Sequence, residues 1–141
     1  MKLDKIFTFE NLYSAYKNCR MSKKHKGEVI RFEFNLAVNL NNLNKELTTK
    51  DYKLGNYKKF YIYEPKERLI EALPFEDRVI VRCFCDVCLK PKIEWKLVYD
   101  NCACRKGKGT TFAIDRLHKF FKKEYLKKSN NDVYLLKCDD L

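Results

Sequence analysis

Apolar residues recur at steps of three and four through Val29, Phe32, Leu36, Leu40, Leu43 and Leu47, and this stripe constrains the fold more than any other feature of the chain. A strand would need steps of two, so 28–48 reads as a helix with one face to bury. The asparagines of the stretch fall largely between the apolar positions. A shorter stripe, Phe9, Leu12, Tyr16 and Cys19, precedes it, with Thr8 placed to cap its N-terminus. Lys23-Lys24-His25-Lys26 and then Gly27 put cations at the negative end of a helix dipole and a glycine at a left-handed cap. The two stretches predict a helical hairpin over 8–48.

Tyr57 to Tyr63 is rich in aromatic and β-branched residues, Glu64-Pro65-Lys66-Glu67 offers a turn, and Arg68 to Leu73 alternates. That pattern predicts a β-hairpin over 57–73 with Lys66 and Arg68 at or beside its tip. Pro74 stops the second strand. A helix is expected over 75–90, with Val79, Cys83 and Val87 marking its face and Pro91 its end. After the loop Arg105-Lys106-Gly107-Lys108-Gly109 a further helix is expected over 110–128, capped by Thr110 or Thr111. Ile114, Leu117, Phe121 and Tyr125 form its apolar stripe, and Lys119, Lys122, Lys123, Lys127 and Lys128 its polar side. Ser129-Asn130-Asn131-Asp132 reads as a turn, and Val133 to Cys138 as an apolar strand that delivers Asp139 and Asp140. A chain of 141 residues with these elements suits one α+β domain over 1–141, without internal repeats.

Thirty Lys and Arg against nineteen Asp and Glu give a formal charge of +11. Nucleic acid is the first partner this implies, with a solvated basic surface as the alternative. No apolar run approaches the ~18–20 residues that span a bilayer, so no membrane partner is expected. Met1-Lys2-Leu3-Asp4-Lys5 lacks the apolar segment of a secretory leader, and a cytoplasmic location follows as the expectation. Seven cysteines in such a chain argue for reduced thiols or a metal site over a full disulfide framework. Cys83-x-Cys85-x-x-Cys88 with Cys102-x-Cys104 has the close spacing of a four-thiolate zinc site. On an α-helix, however, Cys83 and Cys85 point about 200° apart, which favours buried free thiols. His25 and His118 lie in basic stretches with no sign of a Cys/His pair, so cysteine nucleophilic catalysis is disfavoured.

Three features carry chemistry. The loop Arg105 to Gly109 sets three cations and two glycines before a helix N-terminus, where a phosphate is favoured, although the spacing is not that of a Walker A loop. A plain structural turn is the other reading. Lys66 and Arg68 form a cationic pair on a protruding hairpin, suited to a polyphosphate or simply solvated; the aromatics of 57–63 stack on bases or pack at an edge. Asp139, at the end of an apolar strand, is placed where a carboxylate can be held rigidly for Mg²⁺, although the residues alone favour the other reading, a frayed acidic tail. Two-metal chemistry needs a second carboxylate, and Asp140 would point to the opposite face.

Five segments then follow in order: Phe32-Glu-Phe-Asn-Leu36; Tyr57-Lys-Lys-Phe60 leading to Pro65-Lys66-x-Arg68-x-Ile70; Phe75-x-Asp77-Arg78-Val79; Asp100-Asn-Cys-Ala-Cys-Arg105-Lys-Gly-Lys-Gly-Thr110; and Tyr134-Leu-Leu-Lys-Cys-Asp139. Their order and spacing resemble the N-terminal part of bacterial reverse transcriptases, closest to those of diversity-generating retroelements and related to retron and group II intron enzymes. The resemblance covers nearly the whole chain. It implies a mostly helical fingers subdomain with a β-hairpin and the first palm strand, 133–139, of an RNA-directed DNA polymerase, a nucleotidyltransferase. Lys66 and Arg68 would then contact the triphosphate of the incoming dNTP. Arg105, with Lys106, Gly107, Lys108 and Gly109, would shape the nucleotide and template region, and Asp139 would be the first catalytic aspartate and a Mg²⁺ ligand. Asp77-Arg78 would be structural, and Cys102 and Cys104 would need no zinc.

The implied partners are an RNA template, a DNA primer, dNTP, and the remaining palm and thumb. Two departures stand against the family pattern. Asp140 replaces an aliphatic residue, and the chain stops before the Tyr-x-Asp-Asp hairpin. Mg²⁺ is accordingly expected only in the complete enzyme, and this stretch is not expected to polymerise alone. The alternatives are a free-standing basic RNA/DNA-binding module and a zinc-stabilised interaction protein.

Overall fold

In a computed structural model, residues 3–127 and 134–138 are described. Their elements are α1 (Leu3–Ile6), α2 (Phe9–Arg20), α3 (Gly27–Phe34), α4 (Leu36–Thr49), β1 (Lys58–Ile62), β2 (Arg68–Ala72), α5 (Phe75–Phe84), α6 (Lys90–Ile93) and α7 (Thr110–Lys127), an α+β set. A π-helical turn, Cys85–Leu89, joins α5 to α6, and a 3₁₀ turn, Glu94–Lys96, follows. The chain divides into two units, Met1–Trp95 and Lys96–Leu141.

The apolar stripes meet in the first unit. Leu12 and Tyr16 of α2, Val29 and Phe32 of α3, Leu40 and Leu43 of α4, and Phe75, Val79 and Cys83 of α5 are all buried in one cluster. Each fully buried leucine or phenylalanine contributes about 1.5–3 kcal/mol. At its centre the Phe32 and Phe75 rings meet edge to face at 5.3 Å, with Tyr16 6.0 Å from Phe32. The Tyr16 hydroxyl donates to Glu33 at 2.8 Å, which gives its one polar atom a partner. Thr8 caps α2 as expected, its Oγ1 accepting from the Asn11 N–H at 3.3 Å.

Three boundaries differ from expectation. The helix expected over 28–48 is two helices parted at Asn35 (φ −125°, ψ 46°). The break leaves the Phe32 carbonyl without its helical donor, and the Asn39 amide supplies one at 2.9 Å. Gly27 opens α3 and does not close the helix before it; Ser22 takes the left-handed backbone there, at φ 61°. Helical structure also runs past Pro91. The π turn carries the chain on with a Lys90 N–H bond to the Cys85 carbonyl, and Pro91 falls in the first turn of α6, where no N–H is required.

The β-hairpin forms within the expected span 57–73, with Lys58 opposite Ala72, Phe60 opposite Ile70, and Ile62 opposite Arg68. Lys58, Phe60, Ile62, Arg68, Ile70 and Ala72 therefore share one face, and Lys59, Tyr61, Leu69 and Glu71 the other. A two-stranded ribbon alone is marginal in water. Here its roots are clamped at the start of α5. Pro74, two residues after the end of β2, is the N-cap residue of α5, and Asp77 in the first turn of that helix accepts from the Gly55 N–H at 3.0 Å and from the Tyr52 hydroxyl. Gly55 fits only because it lacks a side chain: a Cβ there would lie 2.8 Å from Cγ of Pro74.

In the second unit the loop leads into α7, where the Ala113 N–H bonds the Gly109 carbonyl. Gly109 thus holds the capping position expected of Thr110 or Thr111. The stripe of α7 is not buried: Ile114 is 47% and Tyr125 53% exposed. Tyr134–Cys138 has no regular structure, so the strand expected over 133–139 does not form in its described part. Tyr134 and Leu135 instead line a hollow of about 110 Å³ with Leu117, Phe120 and Phe121 of α7. The expected turn at 129–132, Asp139 and Asp140 lie outside the described residues.

Candidate phosphate and nucleic-acid site

Lys66 lies in the exposed turn of the hairpin, and Arg68 opens β2 beside it, opposite Ile62. Neither forms an ion pair among the described residues. The turn lifts both cations clear of the core, and the clamp at Asp77 fixes the ribbon that carries them. Along the outer face Tyr61 and Tyr63 stack at 6.4 Å, with Tyr63 70% exposed. Aromatics in this state offer π faces to bases. Lys59, on the same face, is taken by Glu71 at 2.5 Å.

The loop 97–109 uses its cations differently. Gly107 (φ +74°) occupies the third position of a turn closed by the Lys108 N–H to the Arg105 carbonyl at 3.2 Å, a conformation glycine adopts freely. Within this loop Arg105 donates to the carbonyls of Val98 (3.2 Å) and Asn101 (3.4 Å). Lys108 donates to the Tyr99 carbonyl and sits 3.7 Å from the centre of the Tyr99 ring. These two side chains brace the loop, while Lys106 is exposed at its turn. Arg116 of α7 holds Asp100 in a two-pronged pair, one arm at 2.9 Å, and lies over the Tyr99 and Phe120 rings. The hydrogen bond from Arg116, with its charge, keeps the Asp100 carboxyl below the usual range. Nothing in the local sequence pattern marked Arg116.

At the inner root of the hairpin Glu28 of α3 receives both Arg78 of α5 and Lys58 of β1, the latter at 3.5 Å. Burial raises the Glu28 carboxyl, but the Arg78 hydrogen bond and the two positive charges together hold it below its ordinary value. Asp77 and Arg78 thus tie α5 to segment 50–57 and to α3, the structural role expected of that pair.

All seven cysteines are free thiols. Cys83 is buried and donates to the Ile6 carbonyl at 3.5 Å, and burial pushes its thiol up to about 11. Cys102 donates to the Asp100 carbonyl at 3.1 Å. Among the described residues no three His, Cys, Asp or Glu side chains gather in a group that would hold a metal. The expected magnesium ligand, Asp139, lies outside those residues.

Lys66 and Arg68 belong to one unit and Arg105, Lys106, Gly107, Lys108 and Gly109 to the other. No helix of the described residues is long and apolar enough to cross a membrane. No protein-family model matches the chain, and no curated protein matches it.

Proposed function

We propose that this chain is the nucleic-acid-binding fingers part of an RNA-directed DNA polymerase of the retroelement class, with the hairpin tip as its phosphate contact. The observation that carries the reading is the placement of Lys66 and Arg68, without ion-pair partners among the described residues, at the tip of a ribbon clamped at its roots. Arg68 presents a planar fork that grips two phosphate oxygens, and Lys66 adds a compact charge that follows the triphosphate as it seats. Tyr61 and Tyr63 stack on template bases. Lys106 contacts the nucleic-acid backbone, while Arg105 and Lys108 keep the loop in shape. Asp139 would hold Mg²⁺ together with carboxylates of the complete enzyme.

The test is binding of a primed RNA template, with and without the next complementary dNTP, over a salt series. Affinity should fall steeply between about 50 and 200 mM salt. Lys66→Gln and Arg68→Gln should weaken capture of the dNTP in the ternary complex more than binding of the primed template. Equal weakening of both would favour a nucleic-acid-binding module without a nucleotide site. Salt-independent binding would refute phosphate contact altogether.

A further inference from the structure

We propose that the cleft between α3 and the root of the β-hairpin binds a nucleotide, with its phosphate on Arg31 and Lys58 and its base against Phe60. This goes beyond the hairpin tip and does not depend on it. Two hollows, of about 460 and 390 Å³, flank Glu28 and share Glu28, Arg31 and Lys58 as walls. Each falls within the size of ordinary small-molecule sites, about 300–1,000 Å³. The second hollow adds Lys26, Arg78 and Phe60.

Charge is unbalanced there. Glu28 is the only carboxylate common to both hollows, and it is already engaged by Arg78 and Lys58. Arg31 has no ion pair among the described residues. Arg78 also keeps a buried Nε–H without an acceptor, so its guanidinium is neutralised on one edge alone. Cations gathered in a concave site concentrate their field where an anion would lie. The contact of Lys58 with Glu28 is long, 3.5 Å, and its flexible stem lets the ammonium turn to a phosphate. Phe60 is 47% exposed on the same face of the ribbon as Lys58, which sets an aromatic wall beside the cations. A phosphate next to an aromatic face matches a nucleotide better than an inorganic anion.

The experiment follows backbone amide shifts of the whole chain during titration with adenosine 5′-monophosphate, adenosine, inorganic phosphate and an oligoadenylate of about eight nucleotides. The monophosphate should move the amides of Gly27, Arg31, Lys58 and Phe60 more than either adenosine or phosphate does. Arg31→Gln should weaken it about tenfold, Phe60→Leu should weaken it but leave phosphate unchanged, and Lys45→Gln, with the same loss of charge, should leave it unaltered. Displacement by the oligonucleotide would identify chain phosphates as the natural ligand, and failure to displace would identify the free nucleotide. Unmoved amides, or an Arg31→Gln chain that binds as the parent does, would overturn the proposal. Equal binding of phosphate and monophosphate would overturn the assignment of the base to Phe60.

Discussion

Asp77→Ala tests the clamp on which the hairpin depends. Asp77 is wholly buried and accepts from the Gly55 N–H at 3.0 Å and the Tyr52 hydroxyl. Hydrogen bonds to a charged group contribute about 1.5–3 kcal/mol each, and a buried donor left without its partner is penalised further. Removing the carboxylate should therefore destabilise the first unit by about 3–5 kcal/mol, a large part of the 5–15 kcal/mol typical of a domain. Tyr52→Phe removes one of the two bonds and should lose about 1–2 kcal/mol. Burial, then the bond to Asp77 and its charge, push the Tyr52 hydroxyl above its ordinary range, so it remains a donor at neutral pH. Asp77→Asn keeps the shape but presents an NH₂ to groups that themselves donate, and an intermediate loss is expected. Urea unfolding followed by far-UV circular dichroism should show a midpoint shift of about 1–2 M for Asp77→Ala at unchanged slope. A shift below about 0.3 M would refute the clamp, as would a double-mutant cycle in which the Tyr52 and Asp77 effects simply add.

Acid should weaken the first unit through Glu28 and Glu33. The bond from Tyr16 and the Arg20 pair outweigh burial to hold Glu33 low, as Arg78 and Lys58 do Glu28. Folded-state values below the unfolded ones mean that this stability is complete above the ordinary glutamate range and is lost as pH falls from that range through the lower folded-state values. Glu28→Gln should flatten the dependence of the urea midpoint between about pH 5 and 3, and an unchanged slope would contradict the assignment. Gly55→Ala forces a methyl group against Pro74 and should lose about 1–3 kcal/mol in the same unfolding assay. Gly107→Ala meets no atom within 4 Å but must hold φ +74°, so it should lose about 1–2 kcal/mol, read as faster amide exchange in the loop 97–109. Lys108→Ala should loosen that loop by about 0.5–1 kcal/mol through loss of the Tyr99 ring contact. Amide exchange identical to the parent's would show that Lys108 does not brace it.

The elements themselves were legible because their signals are local. The three-and-four steps of Leu12–Tyr16, Val29–Phe32 and Leu40–Leu43 place residues on one helix face through geometry within a few positions, and Thr8 caps α2 for the same reason. The turn chemistry around Pro65 put Lys66 and Arg68 at the hairpin tip, where they stand. Where apolar spacing continued across a break, as at Asn35, the pattern was silent, since the separate helices on either side still bury Val29, Phe32, Leu40 and Leu43. What the tertiary structure alone decided is which charges meet. Glu28 and Arg78 are 50 residues apart, Asp77 and Tyr52 25, and Asp100 and Arg116 16, distances over which no periodicity carries information. The loop at 105–109 makes the same point at shorter range: its composition marked cations beside a helix start, but the fold turned Arg105 and Lys108 onto the carbonyls of 98–101. Those carbonyls lie outside helix and sheet; that of Val98 accepts from the Asn101 N–H as well as from Arg105, and the nearest long cations supply donors to those of Tyr99 and Asn101.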